Sequence, residues 1–276
     1  MTLRDKRILI LGQGLLGSAL VSRWRDVADL STWRTQDIEK FIRANRTARS
    51  NMLKPFGLVV NCAVIKKGMH AHRIEPSSVL VNSLLPLTLA ESINIDHCLL
   101  IHFSTDQFGL DGWENGYAIE KTIGDILLNN TPSIIFRGAF FSLQPNTGGL
   151  VDYVKTSQHG EILPGYVNVY SRAIDIESLL ISIDELLVEQ NLKPMIIGYG
   201  TDQKYRKYQL IKDVLNEIGF EENVVPTSKF LLAGRGKQIF LRDFENSSLD
   251  RFIEHSYESL VSKVVHTIKN ERPALK

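Results

Sequence analysis

The chain has 276 residues, of which 43% are hydrophobic and 23% are charged, a length that suits one or two domains with a sizeable core. Lysine and arginine number 32 against 31 aspartate and glutamate residues, which gives a formal net charge of +1. Such a balanced chain is not expected to bind nucleic acid or an anionic membrane broadly, because both depend on clustered positive charge. The composition also excludes collagen, a coiled coil and bulk disorder.

The chain contains only two cysteines, Cys62 and Cys98, which is too few for a disulfide framework. Each lies in or beside an apolar run, and each is expected to be a buried free thiol. The polar segment 1–7 precedes an apolar run that is too short for a signal-peptide core, and no apolar stretch approaches the ~20 residues that span a bilayer. These features predict a cytoplasmic protein.

The first half of the chain alternates short apolar runs with segments of helical periodicity. The predicted strands are Arg7–Leu11, Leu30–Arg34, Gly57–Val64, Cys98–Phe103 and Ser133–Phe141. The predicted helices are Leu15–Asp26, Gln36–Asn45, Ser77–Asn94 and Tyr117–Asn130. A loop is expected after Asn45, and Pro86 should kink the third helix or set its entry angle. Strands that alternate with helices indicate parallel pairing with right-handed crossovers, and therefore an α/β fold with a doubly wound sheet.

After Ser142 the spacing becomes less regular. A strand is predicted at Pro194–Gly200, and helices are predicted at Ile176–Gln190, Tyr205–Gly219 and Leu249–Asn270. Asp175 is expected to cap the first of these helices, and Gly219 is expected to end the second.

A glycine-rich loop joins the first predicted strand to the first predicted helix. Its six residues, Gly12-Gln13-Gly14-Leu15-Leu16-Gly17, have the spacing G-x-G-x-x-G. In such a loop the first glycine permits a tight turn, the second lets the backbone approach a pyrophosphate, and the third lets the helix pack close to the strand. The free N–H groups of the helix then face the phosphates. We therefore predict a Rossmann-type dinucleotide site at these six residues, and we expect valine at Gly12 to abolish binding while the fold is retained.

The end of the second predicted strand bears on which dinucleotide is bound. An acidic residue is typical there when a ribose 2′-hydroxyl is recognised. The strand ends instead with Thr32, Trp33 and Arg34, and the flanking acids Asp29 and Asp37 lie before and after it. An arginine at this position suits a 2′-phosphate, so NADP(H) is favoured and NAD(H) is left open. The alternative is that Arg34 is a solvated surface charge.

A tyrosine and a lysine follow the fourth predicted strand, which ends in Ser104-Thr105-Asp106. Tyr117 and Lys121 are four residues apart and would share one face of a helix, with their Cβ atoms ~5–6 Å apart. An ammonium that close favours a phenolate and lowers a tyrosine pKa from its usual ~10, which makes the phenol a usable acid near neutral pH. A serine or threonine hydroxyl at the strand end can bind the same carbonyl oxygen. The alternative is a surface pair on an amphipathic helix.

Together these motifs resemble the extended short-chain dehydrogenase/reductases, and among them the dTDP-4-dehydrorhamnose reductase branch. The matching stretches are Ile8–Gly17, Val59–Ala63, Val81–Ser83, Ile101–Asp106, Tyr117–Lys121 and Ile134–Arg137. The resemblance implies an enzyme that reduces a 4-keto group on a nucleotide-linked deoxysugar with NADPH or NADH, in the synthesis of deoxysugars or cell-surface polysaccharides.

The resemblance also implies a role for each matching residue. Tyr117 would donate the proton to the carbonyl oxygen, and Lys121 would lower its pKa and hold the nicotinamide ribose. Thr105 would hydrogen-bond the substrate carbonyl, and Asn82 would support the lysine through water. The remaining cofactor-binding residues would be Ala63, Val64 and Ser104, and the substrate-binding residues would be Asp106, Phe108 and Arg242.

The chain departs from this family in two places. The loop before Tyr117 is shorter than usual, and the next three residues are Ala, Ile and Glu rather than the small and hydroxyl residues common there. Asp106 is followed by Gln107, so the acid pair of the related dehydratases is missing, and no cysteine closely follows Ser104, which disfavours the chemistry of the related epimerase-reductases. Two other functions stay open, namely a non-catalytic NADP-binding partner protein and a sugar-nucleotide epimerase that keeps its cofactor bound.

Other polar residues have weaker signals. His70 and His72 form an H-x-H without an assignable third ligand, so no metal site is expected. His102 is expected to be a satisfied core residue, and Arg137 should either contact substrate or brace Asp106. The expected partner is a nucleotide-linked sugar, with a homodimer left open and with no nucleic acid or membrane. The dinucleotide-binding domain is predicted to comprise 1–142 with 168–200 returning to it, and the smaller substrate-binding lobe 143–167 and 201–276.

Overall fold

The structure is a computed structural model, and it describes residues 6–65, 76–94, 96–105, 116–129, 131–145, 149–167, 169–189, 193–227, 239–240 and 249–270. The chain divides into two compact units. The first comprises Met1–Arg137, Leu180–Gly198 and Ser247–Arg251, and the second comprises Gly138–Leu179, Tyr199–Asn246 and Phe252–Lys276. The predicted division assigned 138–142, 168–179 and 199–200 to the first unit. The observed boundaries differ because the chain leaves the first unit directly after a strand that ends at Arg137 and returns only within a later helix.

The elements are numbered in chain order. The strands are β1 (Arg7–Leu11), β2 (Asp29–Trp33), β3 (Leu58–Asn61), β4 (Leu99–Phe103), β5 (Ser133–Arg137), β6 (Phe140–Phe141), β7 (Leu163–Tyr166), β8 (Val169–Ser171), β9 (Ile174–Asp175), β10 (Met195–Thr201), β11 (Tyr205–Arg206), β12 (Val224–Thr227), β13 (Ile239–Phe240) and β14 (Arg251–His255). The helices are α1 (Leu15–Trp24), α2 (Thr35–Arg43), α3 (Arg46–Leu53), α4 (Pro76–Val79), α5 (Leu85–Ala90), α6 (Gly116–Leu128), α7 (Leu150–Thr156), α8 (Ile176–Val188), α9 (Lys207–Ile218) and α10 (Tyr257–Asn270). A π-helical turn (Leu80–Leu84) joins α4 to α5.

A seven-stranded sheet has the order β14-β10-β5-β4-β3-β1-β2. The pairs from β2 through β1, β3, β4 and β5 to β10 are all parallel. Strands β3 and β5 are buried at every residue, and β1 and β4 at every residue but the first, as expected for strands covered on both faces. The strand order changes direction between β1 and β3, which creates a switch point at their carboxyl ends. The predicted doubly wound α/β fold of the Rossmann type is confirmed.

Helix α1 carries the residues that follow the glycine-rich loop, and it is tied to a helix much later in the chain. The indole Nε1 of Trp24 donates to Oδ1 of Asp184 at 2.8 Å, and Arg23 pairs with the other oxygen of the same carboxylate. Asp184 lies on α8, in the part of that helix that belongs to the first unit. Trp24 is itself buried, so this carboxylate satisfies the one polar atom of a core side chain.

Several predicted elements differ from the observed ones. The loop expected after Asn45 is helix α3, which begins where the Asn45 side chain accepts from the N–H of Ala48 at 2.9 Å. The long helix predicted over Ser77–Asn94 is divided into α4, the π-helical turn and α5, with Pro86 in the first turn of α5. The helix predicted over Leu249–Asn270 is the strand β14 followed by α10. The strand predicted to end at Phe141 is β5 followed by the separate strand β6.

In the described part of the chain, the second unit contains short strands, the start of α8, and the helices α7, α9 and α10 around its own core. Its small sheets pair β8 with β11 and β13, β12 with β7, and β6 with β9. Side chains from α7, α9 and α10 form the core, with Val154, Val214 and Val264 fully buried. The predicted caps are confirmed, because Oδ1 of Asp175 accepts from the N–H of Ser178 at 3.0 Å, and Gly219 ends α9 in a left-handed conformation. None of the helices within the described residues has the length and apolar character to span a bilayer.

Candidate active site

A cavity of about 750 Å³ lies at the carboxyl ends of β1 and β3, the switch point of the sheet. Its walls come from the loop after β1, from α2, from the loop after β3 and from α4 with the π-helical turn. The predicted cofactor residues that line it are Gly12, Gln13, Gly14, Arg34, Ala63 and Val64. The predicted cofactor residues outside its lining are Leu15, Leu16, Gly17, Ser104, Tyr117 and Lys121. The cavity is therefore placed to take the adenosine and diphosphate part of a dinucleotide.

The glycines of the loop differ in how much room they have. Gly12 has a φ of +85°, and a Cβ there would lie 2.8 Å from the backbone N of Ala63. A Cβ at Gly17 would lie 1.9 Å from the carbonyl oxygen of Gly12. These two glycines let β1, α1 and the loop after β3 meet without side chains between them. The expectation that valine at Gly12 leaves the fold intact is therefore wrong, because the added atoms would meet backbone rather than ligand space.

Gly14 is the position at which dinucleotide binding to the loop can be tested without disturbing the fold, which a substitution at Gly12 would disturb. A Cβ at Gly14 would have no atom within 4 Å, and the φ of −70° suits any residue. We expect Gly14→Val to weaken NADPH binding at least tenfold while costing about 1 kcal/mol or less of the free energy of unfolding, because the side chain enters the cavity and not the core. Calorimetric titration and thermal unfolding measure the two effects. Gly12→Ala, as the control, should lose at least ~2 kcal/mol of unfolding free energy. Unchanged NADPH affinity in Gly14→Val would show that the diphosphate does not lie over this loop.

Arg34 is held at the rim of the cavity by neighbouring side chains. Its Nε donates to Oε1 of Gln13 at 3.0 Å, and Nε2 of Gln13 donates to the hydroxyl of Thr32 at 2.9 Å. Arg34 and Gln13 are both exposed. Arg43, on the cavity-facing side of α2, lines the same space and was not predicted. Its spacing from Glu39, which also lines the cavity, could have indicated it, because residues four positions apart share a face of a helix.

Lys121 is buried under the carboxyl end of β4. Only 3% of the residue is exposed, and Nζ donates to the carbonyl oxygen of Phe103 at 2.7 Å. Burial lowers the pKa of Lys121 to about 8, and the nearby Asp125 and Cys62 oppose that shift. Tyr117 lies one turn earlier on the same helix and is half-buried. The structure thus brings the ammonium of the predicted Tyr–Lys pair to the strand end that leads into Ser104 and Thr105.

The Ser104 hydroxyl points into helix α6 and donates to Oδ2 of Asp125 at 2.7 Å. Nε of Arg137 donates to the same oxygen at 2.8 Å, and all three residues are buried. Burial raises the pKa of Asp125, while the charge of Arg137 and the hydrogen bond from Ser104 oppose that rise. Arg137 therefore pairs with Asp125, a partner that was not among the two predicted for it. The bond braces the end of β4 against β5 and α6.

Asn82 lies in the π-helical turn, and its side chain reaches the loop after β3. Its Oδ1 accepts from the N–H of Ile65 at 3.0 Å, and its Nδ2 donates to the carbonyl oxygen of Ile65 at 2.9 Å. Nδ2 also donates to Oε2 of Glu120 at 2.6 Å. Helix α6 approaches the turn closely, because a Cβ at Gly124 would lie 2.7 Å from the carbonyl oxygen of Asn82. Among the described contacts, the Asn82 side chain meets Ile65 and Glu120 and not Lys121.

Two other titratable groups lie near the lysine. His102 is fully buried, and its Nδ1 is 3.1 Å from the amide nitrogen of Asn61. Burial, and secondarily the Lys121 charge, lowers the pKa of His102 well below its usual range, so the imidazole is neutral. Cys62 lies in the cavity wall, and burial raises the pKa of its thiol. Cys98 is buried, and both cysteines are free, as predicted, although Cys62 is only partly covered.

Some predicted site residues lie outside the described residues. These are Asp106, Phe108, Arg242, His70 and His72. Within the described part of the chain, no group of three His, Cys, Asp or Glu side chains could hold a metal ion.

Known proteins resemble this chain in three-dimensional structure rather than in sequence. No protein-family model and no curated protein sequence matches the chain, but solved structures match over nearly its whole length. The dTDP-4-dehydrorhamnose reductase of Bacillus anthracis, solved in complex with NADP, has a TM-score of 0.73 and 15% identity, with 96% of this chain and 99% of that chain covered. The chain has the fold of these enzymes. The resemblance predicted from the motifs is confirmed as a likeness of fold.

Two further solved structures also match the fold of this chain. A dTDP-4-dehydrorhamnose reductase from Clostridium acetobutylicum has a TM-score of 0.71 and 16% identity, with 97% of this chain and 100% of that chain covered. The Bordetella bronchiseptica enzyme WbmG, solved in complex with NAD and UDP, has a TM-score of 0.67 and 16% identity, with 96% of this chain and 95% of that chain covered. Similar structures therefore include complexes with NADP, with NAD and with UDP.

Proposed function

We propose that the protein is an NAD(P)H-dependent reductase of a keto group on a nucleotide-linked sugar, with the 4-keto group of a deoxysugar as the favoured substrate. The observation that carries the proposal is the position of Lys121, buried at the carboxyl end of β4 and four residues after Tyr117 on α6. The cavity at the switch point supports it, as do the sugar-nucleotide enzymes that share the fold.

The residues of the cavity fit a dinucleotide. Gly14 leaves space over the amino end of α1, whose free N–H groups suit a diphosphate. Bound NADPH would supply a hydride to the keto carbon. Tyr117 would donate its phenolic proton to the keto oxygen, Lys121 would stabilise the resulting phenolate, and the Thr105 hydroxyl would hold the same oxygen in place. One hydride and one proton convert the ketone to an alcohol.

The direct test of the proposed reaction is oxidation of NADPH by the purified protein with a panel of nucleotide-linked 4-keto-6-deoxysugars. Turnover with at least one member is expected. If none is reduced and no nucleotide is retained, the non-catalytic dinucleotide-binding protein becomes the better explanation. A nucleotide that stays bound through purification, without net NADPH oxidation, would favour the epimerase.

The two cavity arginines predict a preference for NADPH over NADH. Arg34 and Arg43 line the same space, where Glu39 is the acidic residue that opposes them. A charge-assisted contact to a 2′-phosphate contributes ~1.5–3 kcal/mol, so Arg34→Ala should reduce the preference roughly ten- to a hundredfold. Dissociation constants of both cofactors for both proteins measure it. Arg25→Ala removes an arginine that lies outside the cavity lining and should change neither constant. Equal affinity of the wild type for NADPH and NADH would refute the assignment.

We also propose that a second copy of this chain covers an exposed apolar face on the first unit. Residues 76–90 include no charged side chain, and the three charged residues of α6 are all buried. The π-helical turn and α5 pack against α6, so the exposed sides of these elements form one face. Its exposed large apolar residues are Leu84, Ile123 and Ile126, whereas the exposed Leu80 lines the dinucleotide cavity. A twofold pairing places this face on itself, and residues 76–90 and α6 place no exposed charge on it that would oppose the pairing.

Sedimentation analysis tests the self-association. The wild type should be a dimer at micromolar concentration, and the double variant Ile123→Glu with Ile126→Glu should be a monomer, because Ile126 is 62% exposed and sits within the face. Val188→Glu changes an apolar residue that is 73% exposed on α8, outside this face, and that variant should remain a dimer. A monomeric wild type would disprove the pairing.

A further inference from the structure

Glu120 is a buried carboxylate that the proposed reaction does not use. It lies between Tyr117 and Lys121 on α6, at one of the positions where the chain departs from the family it resembles, and only 1% of the residue is exposed. Both carboxylate oxygens accept hydrogen bonds, Oε1 from the hydroxyl of Ser78 at 2.5 Å and Oε2 from Nδ2 of Asn82 at 2.6 Å. A carboxylate is retained in such a place only if its oxygens are satisfied, so these bonds hold the helix to α4 and to the π-helical turn.

The contacts continue from Asn82 to the cavity. The Asn82 side chain bonds both backbone groups of Ile65, a residue of the cavity wall. A carboxylate can only accept hydrogen bonds, so Glu120 requires the amide nitrogen of Asn82 to face it. That choice leaves Oδ1 free to accept from the N–H of Ile65. The carbonyl oxygen of Ile65 accepts from the same nitrogen, so Glu120 and Ile65 require the same orientation of the amide, and Glu120 anchors the asparagine in the orientation that clamps the loop after β3.

We infer that Glu120 is a positioning residue, which fixes Asn82 and through it the Ile65 wall of the dinucleotide cavity to the helix that carries Tyr117 and Lys121. The inference rests on the proposed function for its purpose, since the two ends that it joins are the cofactor cavity and the proton donor. Glu120 itself touches neither substrate nor cofactor in this arrangement. Its effect is on dinucleotide affinity and on the rigidity of the wall.

Four variants isolate this effect. Glu120→Ala removes the acceptor of Asn82. Glu120→Gln retains both bonds, because Oε1 of glutamine can accept from Asn82 and Nε2 can donate to the oxygen of Ser78. Ser83→Ala is the matched control, since the Ser83 hydroxyl bonds the main-chain oxygen of Glu120 at 2.7 Å in the same helix contact, outside the path to Ile65. Ser78→Ala, which removes only the donor to Oε1, is the milder variant should Glu120→Ala not fold.

The measurements are hydrogen exchange of the Ile65 amide without ligand, and the dissociation constant for NADPH. Glu120→Ala should speed that exchange and raise the dissociation constant about tenfold, the change that the loss of one charge-assisted hydrogen bond causes. Glu120→Gln should restore most of the wild-type exchange rate and NADPH affinity, and Ser78→Ala should give intermediate values. Ser83→Ala should lower the thermal midpoint but leave the exchange rate and the NADPH affinity at wild-type values. Wild-type exchange and affinity in Glu120→Ala would overturn the inference, and so would equal effects in Ser83→Ala.

These outcomes are separate from those of the proposed function. Amide exchange at Ile65 is measured without any ligand. It therefore shows whether Glu120 holds the loop after β3 through Asn82, even if no keto sugar is reduced. Failure of the wild type to bind NADPH or to turn over any substrate would count against the reductase, and not against the connection from Glu120 to Ile65.

Discussion

Tyr117→Phe should lower the turnover of any keto-sugar nucleotide that the wild type reduces by ~10²–10⁴, the usual contribution of a positioned general acid. The substitution removes one hydroxyl from a half-buried residue in the first turn of α6 and leaves the ring in place. NADPH affinity and the thermal midpoint should therefore stay close to those of the wild type. Steady-state kinetics, calorimetric titration and thermal unfolding provide the three measurements.

A second tyrosine serves as the control. The Tyr153 hydroxyl donates to the carbonyl oxygen of Pro164 at 2.8 Å, within the second unit. Tyr153→Phe also removes one bonded hydroxyl, and it should keep full turnover. If Tyr117→Phe were as active as the wild type, another group would have to supply the proton.

Lys121→Met should reduce turnover and also weaken NADPH binding, since one ammonium would serve both the phenol and the nicotinamide ribose. The pKa of Lys121 is about 8, so the side chain is charged at pH 7 and loses its proton as the pH rises through that value. Wild-type NADPH affinity should fall above pH 8, whereas the affinity of the variant should be low at pH 7 and change little. Titrations at pH 7 and pH 9 measure this. The same alkaline loss in Lys121→Met would assign it to another group.

The same lysine predicts that the free energy of unfolding rises with pH, whereas the affinity for NADPH falls. Its folded pKa of about 8 lies below the value of 10.5 that an unfolded lysine has, so the unfolded chain binds more protons between these two pH values. The free energy of unfolding of the wild type should rise by about 3 kcal/mol relative to Lys121→Met as the pH increases across that window. Denaturant unfolding of both proteins at pH 7 and pH 10 gives the comparison. Parallel pH dependences would show that the lysine is solvated.

The central strands could be predicted because their side chains are buried on both faces. Strands β1, β3, β4 and β5 read as continuous apolar runs, and their predicted and observed starts agree within one residue. Helix α3 has no such signal, since its sequence is polar and only Leu53 is buried. Strand β14 directly precedes α10 in the sequence. It forms a strand rather than part of that helix because it pairs with β10, which is distant in sequence. The strands of the second unit are two to four residues long, and their partners are distant in sequence.

Site residues that belong to a sequence motif could be predicted, whereas contacts that only the tertiary fold brings about could not. The first half of the glycine-rich loop, residues 12–14, and Arg34 do line the cavity, because the strand and helix around them set their positions. The close approach of Gly12 to Ala63 depends on the packing of β1 beside β3, and local sequence does not show it. The pairing of Arg137 with Asp125 joins β5 to α6, and the bonds of Glu120 join α6 to the π-helical turn. Neither follows from spacing along one element.

The bond from Trp24 to Asp184 has a consequence for how the protein is made. These residues are 160 positions apart, so α1 leaves the ribosome long before the carboxylate that completes its packing. At the usual ~5–20 residues per second, that interval is roughly 8 to 30 s. In the later part of this interval, after β5 has been made, β5 lacks β10, its neighbour in the sheet, and presents an unpaired edge of apolar strand. A nascent chain that has emerged past Arg137 but not past Thr201 is therefore the species expected to aggregate or to engage a chaperone. Slow codons between these points would lengthen its exposure.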